Sequence, residues 1–291
     1  MLLLCGGHGD PNMTALAQRM AERRVPGMAV LIHPRKSVPI TWDLTADRLT
    51  VNGAPVRPSG MFLRYDVFAP QNDRQPGTFR RTQSWYYTFM SWALAHEEAA
   101  FLNRAYATRQ PAKPYVVALA KRLGLLVPDT LLTNDPAEPA DADPAEWISK
   151  PVTGGDVTRP LAEAREHADE GDRAAPAPSI VQRRINGPDL RIYRIAGRSF
   201  AFELASDALD YRTTQKPDVR EVTAPEHLIR PLDAVMERLG LDYGAADFKT
   251  DPKTGEHYFL EVNSAPMFAA FDRIAEGRLC DALIDALQPP S

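Results

Sequence analysis

The sequence predicts a mixed chain, an α/β layer followed by α+β units, and three observations carry that expectation. Residues 1–32 run strand, glycine turn, helix, strand, the opening of an open α/β layer. Residues 179–205 hold three short apolar-alternating segments broken by Asn186-Gly187-Pro188 and Ala196-Gly197, the mark of an antiparallel sheet. Residues 244–263 are two extended segments around Asp251-Pro252-Lys253-Thr254-Gly255, a turn sequence.

Taken in order, residues 1–5 read as a short buried strand and Gly6-Gly7-His8-Gly9 as a turn. Asp10 is an N-cap followed by Pro11 at the first helical position, and the helix it opens runs to about Arg24. Residues 28–32 are a strand, residues 40–51 an extended stretch ending in a turn at Asn52-Gly53, and residues 61–65 a further strand. Residues 69–78 are a polar, proline-rich loop. Residues 80–104 form one long helix filled with aromatics (Trp85, Tyr86, Tyr87, Phe89, Trp92, Phe101), a core-facing pattern. A new unit then opens, with a helix over 113–123 closed by Gly124, a strand over 126–133 and an Asp/Pro/Ala-rich loop over 134–145. A strand over 147–152 leads into the glycine loop Thr153-Gly154-Gly155-Asp156, and residues 162–178 are charged and rich in Ala and Pro. Strands follow at 179–185, 190–195 and 199–205, a helix at 225–239, strands at 244–250 and 256–263, and a last helix at 274–287. These breaks divide the chain into 1–108, 109–180 and 181–291.

A length of 291 residues is ample for a buried core, and 44% hydrophobic with 25% charged residues is an ordinary globular composition. A net charge of −4 calls for neither nucleic acid nor an acidic membrane as partner, although Arg80-Arg81 and Arg183-Arg184 are local basic points. No apolar run reaches the roughly 18 residues of a membrane span, and the first residues lack a basic leader, so cytoplasmic residence is expected. Cys5 and Cys280 lie in apolar surroundings without CxxC spacing and read as free buried thiols.

The chemistry concentrates in the last hairpin. With the turn centred near Thr254, Asp247 faces Glu261 across the ladder, and Asn263 shares the face of Glu261. Two facing carboxylates repel unless a cation lies between them, and hard oxygen ligands without His or Cys suit magnesium held jointly with phosphate oxygens. Lys113 opens a helix, and Lys150 ends a strand just before the glycine loop, where a lysine delivers a point charge to phosphates. Taken singly, each reads as a surface lysine. Asp189, Arg191 and Tyr193 share one strand face, opposite Leu190 and Ile192. Arg191 and Arg212, each with a rigid and permanently charged fork, suit a phosphate or carboxylate; singly, each reads as a surface ion pair. GxxxxGK[ST], GxGxxG after a strand, HExxH and GxSxG are absent, and the six histidines lack ligand spacing. His8 reads as a loop histidine or a substrate contact.

In order, these pieces resemble the ATP-grasp superfamily. They are Lys113 with its helix and Gly-Leu-Leu-Val-Pro-Asp-Thr, Ser149-Lys150-Pro151, Val181-Gln182-Arg183-Arg184-Ile185, Asp189-Leu190-Arg191, Asp247, and Leu260-Glu261-Val262-Asn263. The likeness covers roughly residues 103–288 and leans toward the ribosomal-protein-S6-modification branch. Within that branch, Asn103, residues 128–134 and Asp210-Tyr211-Arg212 lean toward the peptide ligases that crosslink microviridin-like graspetides. The tail from Asn263 to Phe268 departs from their glycine-containing ending, and Arg183-Arg184 stands where such families carry a hinge Glu.

The resemblance implies two α+β subdomains clasping ATP after a small α/β domain. It implies Lys113 and Lys150 on ATP phosphates, Gln182, Arg183, Arg184 and Ile185 as a hinge over adenine, and Asp189 at the nucleotide. It implies two magnesium ions (manganese substituting) on Asp247, Glu261 and Asn263, with Arg191 and Arg212, beside Lys150, steadying the γ-phosphate and an acyl phosphate. The expected activity is ADP-forming ligation of a carboxylate to an amine or hydroxyl, on a peptide. The alternatives are a ligase for small amino acids or glutamate tails, a non-catalytic nucleotide binder, and a kinase on the same fold. Partners are a peptide or amino acid, and a homodimer is the reasonable assembly.

Overall fold

The computed structural model describes residues 1–33, 38–140, 142–153, 158–166, 174–205 and 218–288, in two compact units. One comprises Met1–Arg104 with Ala265–Ser291, the other Ala105–Ser264.

The first unit is built on β1 (Leu2–Gly7), α1 (Pro11–Glu22), β2 (Gly27–Ile32), β3 (Ile40–Asp43), β4 (Arg48–Val51), β5 (Ala54–Pro55), β6 (Gly60–Leu63), α2 (Phe68–Asn72), α3 (Pro76–Ala95) and β7 (Ala100–Phe101). Its main sheet has the order β2-β1-β6-β7, with all pairs parallel. A parallel strand covered on both faces reads as an unbroken apolar run, and Leu2-Leu3-Leu4-Cys5 is one. Leu3 and Cys5 pack with Phe89, Trp92 and Ala93 of α3. Asp10 caps α1, as its sequence predicts, by accepting from Asn12 N at 2.8 Å. The extended stretch at 40–51 is a hairpin of β3 and β4.

Two expectations are corrected here. The polar loop contains α2, because the Asp66 carboxylate accepts from Phe68 N and Ala69 N and so starts a helix. The long helix ends at Ala95 rather than 104. Residues 100–101 pair with β6 instead, and Arg104 donates to the carbonyls of Ala93, His96 and Ala99, tying off the helix end. The aromatics of α3 divide between faces: Phe89 and Trp92 are core, while Phe79 and Tyr87 are exposed.

The second unit runs α4 (Arg104–Ala107), α5 (Lys113–Arg122), β8 (Thr130–Thr133), β9 (Trp147–Pro151), β10 (Arg159–Pro160), α6 (Leu161–Glu166), β11 (Ser179–Arg183), β12 (Asp189–Ile195), β13 (Arg198–Ala205), β14 (Asp218–Val222), α7 (Glu226–Leu239), β15 (Tyr243–Thr250) and β16 (His257–Asn263). Four strands form the sheet β10-β9-β11-β8, and five form β14-β13-β12-β15-β16, every pair antiparallel. The larger sheet has an apolar face: Leu190, Ile192, Ala246, Phe248 and Phe259 join Leu228, Leu232 and Val235 of α7 and Val116 and Leu119 of α5 in one core. Helix α7 supplies a stripe at Leu228, Leu232, Val235, Met236 and Leu239 and stops at Gly240, whose φ of 76° suits glycine.

Here too the pattern departs from expectation. Strand β8 starts only at Thr130, since Pro128 has no N–H for a ladder. Strand β14 carries Asp218, Arg220 and Glu221, the charges of an edge strand, so no apolar alternation marks it in the sequence. The turn into β12 needs Gly187, because a Cβ there would lie 1.9 Å from Thr250 O. Gly187→Ala is therefore expected to cost about 1–3 kcal/mol in chemical denaturation.

The chain ends with α8 (Ala269–Ile274) and α9 (Arg278–Leu287), in the first unit. The single helix expected over 274–287 is broken by Glu276 and Gly277, both at positive φ.

Candidate functional site

Strand alternation places the polar residues of the large sheet on the face opposite its apolar core. Arg191 pairs with Asp247 and Asp247 with Glu261, so a row of charges crosses β12, β15 and β16, and the Asp189–Lys249 pair lies on the same face two residues along. The register around Asp247 and Glu261 is the one the hairpin spacing predicts, with Asn263 opposite Ala245 at the strand end. A β-bulge follows: beyond Asp247 the pairing slips by one, and Phe248 meets Phe259.

The two carboxylates do not face each other unscreened. Arg191 grips Asp247 with both arms of its fork, Nε–Oδ1 at 2.6 Å and Nη2–Oδ2 at 2.9 Å. Lys113 Nζ, at the start of α5, lies 3.1 Å from Glu261 Oε2. Lys249, which the sequence reading passed over, donates to Asp189 Oδ2 at 3.0 Å and to Gly187 O at 3.1 Å. Burial pushes the Asp189 carboxyl above the usual carboxylate range, and Lys249 draws it part of the way back.

Lys150 comes from the smaller sheet, on β9. Its Nζ donates to Gln182 Oε1 at 2.9 Å, and Gln182 Nε2 donates to Thr130 Oγ1 at 2.9 Å. Burial pushes the Lys150 ammonium below the usual lysine range; Glu261 opposes that shift and Lys113 adds to it. The two sheets thus bring Lys113, Lys150, Lys249, Asp247 and Glu261 within electrostatic reach of one another. In the expected hinge, the N–H of Arg183 donates to Asp129 O at 2.8 Å and that of Arg184 to Glu146 O at 2.7 Å. Both nitrogens are engaged within the protein. Ile185 follows β11 and is half-buried. Arg212, the Asp210-Tyr211-Arg212 segment and Gly154-Gly155-Asp156 lie outside the described residues. His8 is in the other unit, its ring 5.0 Å from that of His33.

Asp247 and Glu261 on adjacent strands, with Asn263 two residues on, form a set of hard oxygen donors that fits magnesium. Among the described residues no three His, Cys, Asp or Glu side chains cluster to hold a metal alone. No helix among the described residues is long and apolar enough to cross a membrane.

A smaller sheet that offers Lys150, beside a larger sheet that carries Asp247 and Glu261, marks an ATP-grasp fold, and the chain has it. No protein-family model and no curated protein matches the sequence. Solved structures do. The ATP-grasp ligase PsnB, complexed with minimal precursor, Mg and ADP, is 27% identical, with 99% of this chain and 97% of that one covered and a TM-score of 0.74. The macrocyclase MdnC of Microcystis aeruginosa MRC, bound with precursor peptide MdnA, is 17% identical with both chains fully covered (100%) at a TM-score of 0.72. The VanG D-Ala:D-Ser ligase of Enterococcus faecalis is 16% identical over 99% of each chain, at a TM-score of 0.56. The last two speak for the fold alone.

Proposed function

We propose that this protein is an ADP-forming ligase that modifies a peptide. A carboxylate oxygen of the substrate attacks the γ-phosphorus of ATP, and ADP leaves. A hydroxyl or amine then attacks the acyl carbon, phosphate leaves, and an ester or amide remains. The observation that carries this reading is the charged face of Asp189, Arg191, Lys249, Asp247 and Glu261, with Lys150 in electrostatic reach. The full-length likeness to PsnB, complexed with minimal precursor, Mg and ADP in one structure and with precursor peptide PsnA2 in another, supports a peptide as substrate.

In this reading Lys113 and Lys150 bind nucleotide phosphates, Asp189 belongs to the nucleotide site, and residues 182–185 form the hinge over the adenine, partly through backbone groups. Asp247, Glu261 and Asn263 hold magnesium, which when bound neutralises charge on the phosphate oxygens. Arg191 and Arg212 steady the transferred phosphoryl group and the acyl phosphate. The protein's part is positioning and charge neutralisation, since phosphoryl transfer asks for little covalent chemistry.

The test is phosphate release from Mg-ATP with a panel of acidic peptides beside a panel of free amino acids, product masses being read in parallel. Release with a peptide, accompanied by loss of one water from it, is the expected result. Release with free amino acids alone would replace the peptide by a small acceptor.

The lowered Lys150 value gives a pH expectation. A lysine that holds phosphate works in its charged form, so its contribution is complete at low pH and disappears as pH rises through its own pKa. Because that pKa is depressed, ADP affinity should fall off below the ordinary lysine range near about 10.4. Lys150→Arg, permanently charged, should remove that limb in binding titrations across pH.

A further inference from the structure

We propose that Gln182 is a positioning residue for Lys150, anchored by Thr130, and that its side chain does not read the adenine ring. This rests on the nucleotide-site reading above. Strand β11 lies between β9 and β8, and Ile148, Gln182 and Thr130 stand in one line across the three strands. Lys150 is two residues along β9 from Ile148 and so shares its face. It is the diagonal neighbour of Gln182.

The hydrogen bonds between them have one direction. Lys150 has donors only, so it must meet the amide oxygen of Gln182. The amide nitrogen then points the other way, to Thr130 Oγ1 at 2.9 Å, and the Thr130 hydroxyl donates onward to Pro128 O at 2.7 Å. Each link fixes the next, and the chain ends on a backbone carbonyl that cannot rotate away. Gln182 is only 2% exposed, so its amide is costly to leave unpaired and is held where it is.

A lysine ammonium is a point charge on a flexible four-carbon stem. Its worth to a phosphate depends on where it is held, and a buried acceptor at fixed height above the sheet does that holding. A glutamine that read adenine bidentately would turn both ends of its amide to the base. Here one end is on Lys150 and the other on Thr130.

The two roles separate by ligand. Affinities for Mg-ADP and for adenosine are measured by calorimetry on the full chain, for wild type, Q182L, Q182E and T130V, with circular-dichroism melts confirming folding. A positioning role predicts that Q182L loses roughly 10-fold in Mg-ADP affinity and nothing in adenosine affinity. Q182E keeps an acceptor for Lys150, and the Thr130 hydroxyl turns to donate to it, so Mg-ADP binding stays near wild type. T130V shows the Q182L pattern more weakly. An equal loss for adenosine and Mg-ADP in Q182L, or no loss for Mg-ADP, overturns the proposal. If Q182L fails to fold, Q182E and T130V decide it: loss in Q182E with none in T130V overturns it as well. Wild type that binds no Mg-ADP would overturn the nucleotide site itself, and this inference with it.

Discussion

Glu261→Gln is expected to lower phosphate release from Mg-ATP by about 10³-fold while leaving the fold intact. Glutamine keeps the shape of the side chain and its place opposite Asp247 on β16. It removes the negative charge that a divalent ion needs in order to stay on that face. Lys113 is one ion-pair partner of Glu261, 3.1 Å away and half-exposed; that pair contributes little to stability, and its loss should move the melting curve little. A large activity loss with an unchanged melt is therefore the signature of a metal ligand. Manganese titration followed by electron paramagnetic resonance gives the same answer without turnover: the variant should need far more manganese to reach half-occupancy with ADP present. A folded Glu261→Gln protein that released phosphate at the wild-type rate would remove the metal assignment from this residue.

The pairing of Asp247 with Glu261 was legible because only arithmetic separates them. A period of two along each strand and a count about Thr254 give the facing pair, and the bulge between Asp247 and Phe248 is what makes that count hold. On the turn side Phe248 meets Phe259 and Thr250 meets His257, a ladder that would carry Asp247 to Leu260; the extra residue of the bulge moves Asp247 to Glu261 and keeps Glu261 off the apolar face of Phe259. A one-residue error in the other direction would have turned Glu261 to the apolar face.

The partners of these residues were not legible. That Arg191 grips Asp247, that Lys249 holds Asp189, and that Thr130 anchors Gln182 depend on strands 56, 60 and 52 residues apart in sequence lying side by side. Nothing local in a single sequence encodes that order. Gln182 read as a hinge residue from its place in Val181-Gln182-Arg183-Arg184-Ile185, and only strand order reveals what its amide meets. Other misses had local signals. Glu276-Gly277 inside an apparent helix marked the break between α8 and α9, where Gly277 adopts a φ of 87°. Arg64 and Asp66, directly after the apolar Met61-Phe62-Leu63, are charges at the end of a buried strand, where an ion pair or a cap is the rule.

Arg64 leads to the second large effect, on stability. Asp10→Ala is expected to cost about 3–5 kcal/mol of folding free energy, because it strands a buried cation. Asp10 is fully buried and Arg64 is 5% exposed, with Arg64 Nε 2.6 Å from Asp10 Oδ2. The same carboxylate accepts from the N–H and the side-chain amide of Asn12, so its loss also uncaps α1. The remaining donors of Arg64 go to the carbonyls of Ala265 and Pro266 at 2.9 Å and to the Met267 sulfur. Asn12 Oδ1 accepts from Phe268 N at 2.6 Å and Ala269 N at 2.8 Å. One buried cluster therefore fastens the segment entering α8 to the turns after β1 and β6. The ion pair of Arg23 with Asp285, in the same unit, is partly open to solvent, and Arg23 keeps Asp281 as a second partner, so loss of Asp285 should cost only about 1 kcal/mol. The contrast is measurable by denaturant unfolding followed through Trp85 and Trp92: Asp285→Ala should hardly move the midpoint, and Asp10→Ala should move it strongly. Pairing Asp10→Ala with Arg64→Met should recover part of the loss, since the double variant leaves no charge buried without a partner. A double variant no more stable than Asp10→Ala alone would mean that the uncapped helix, not the stranded guanidinium, sets the cost.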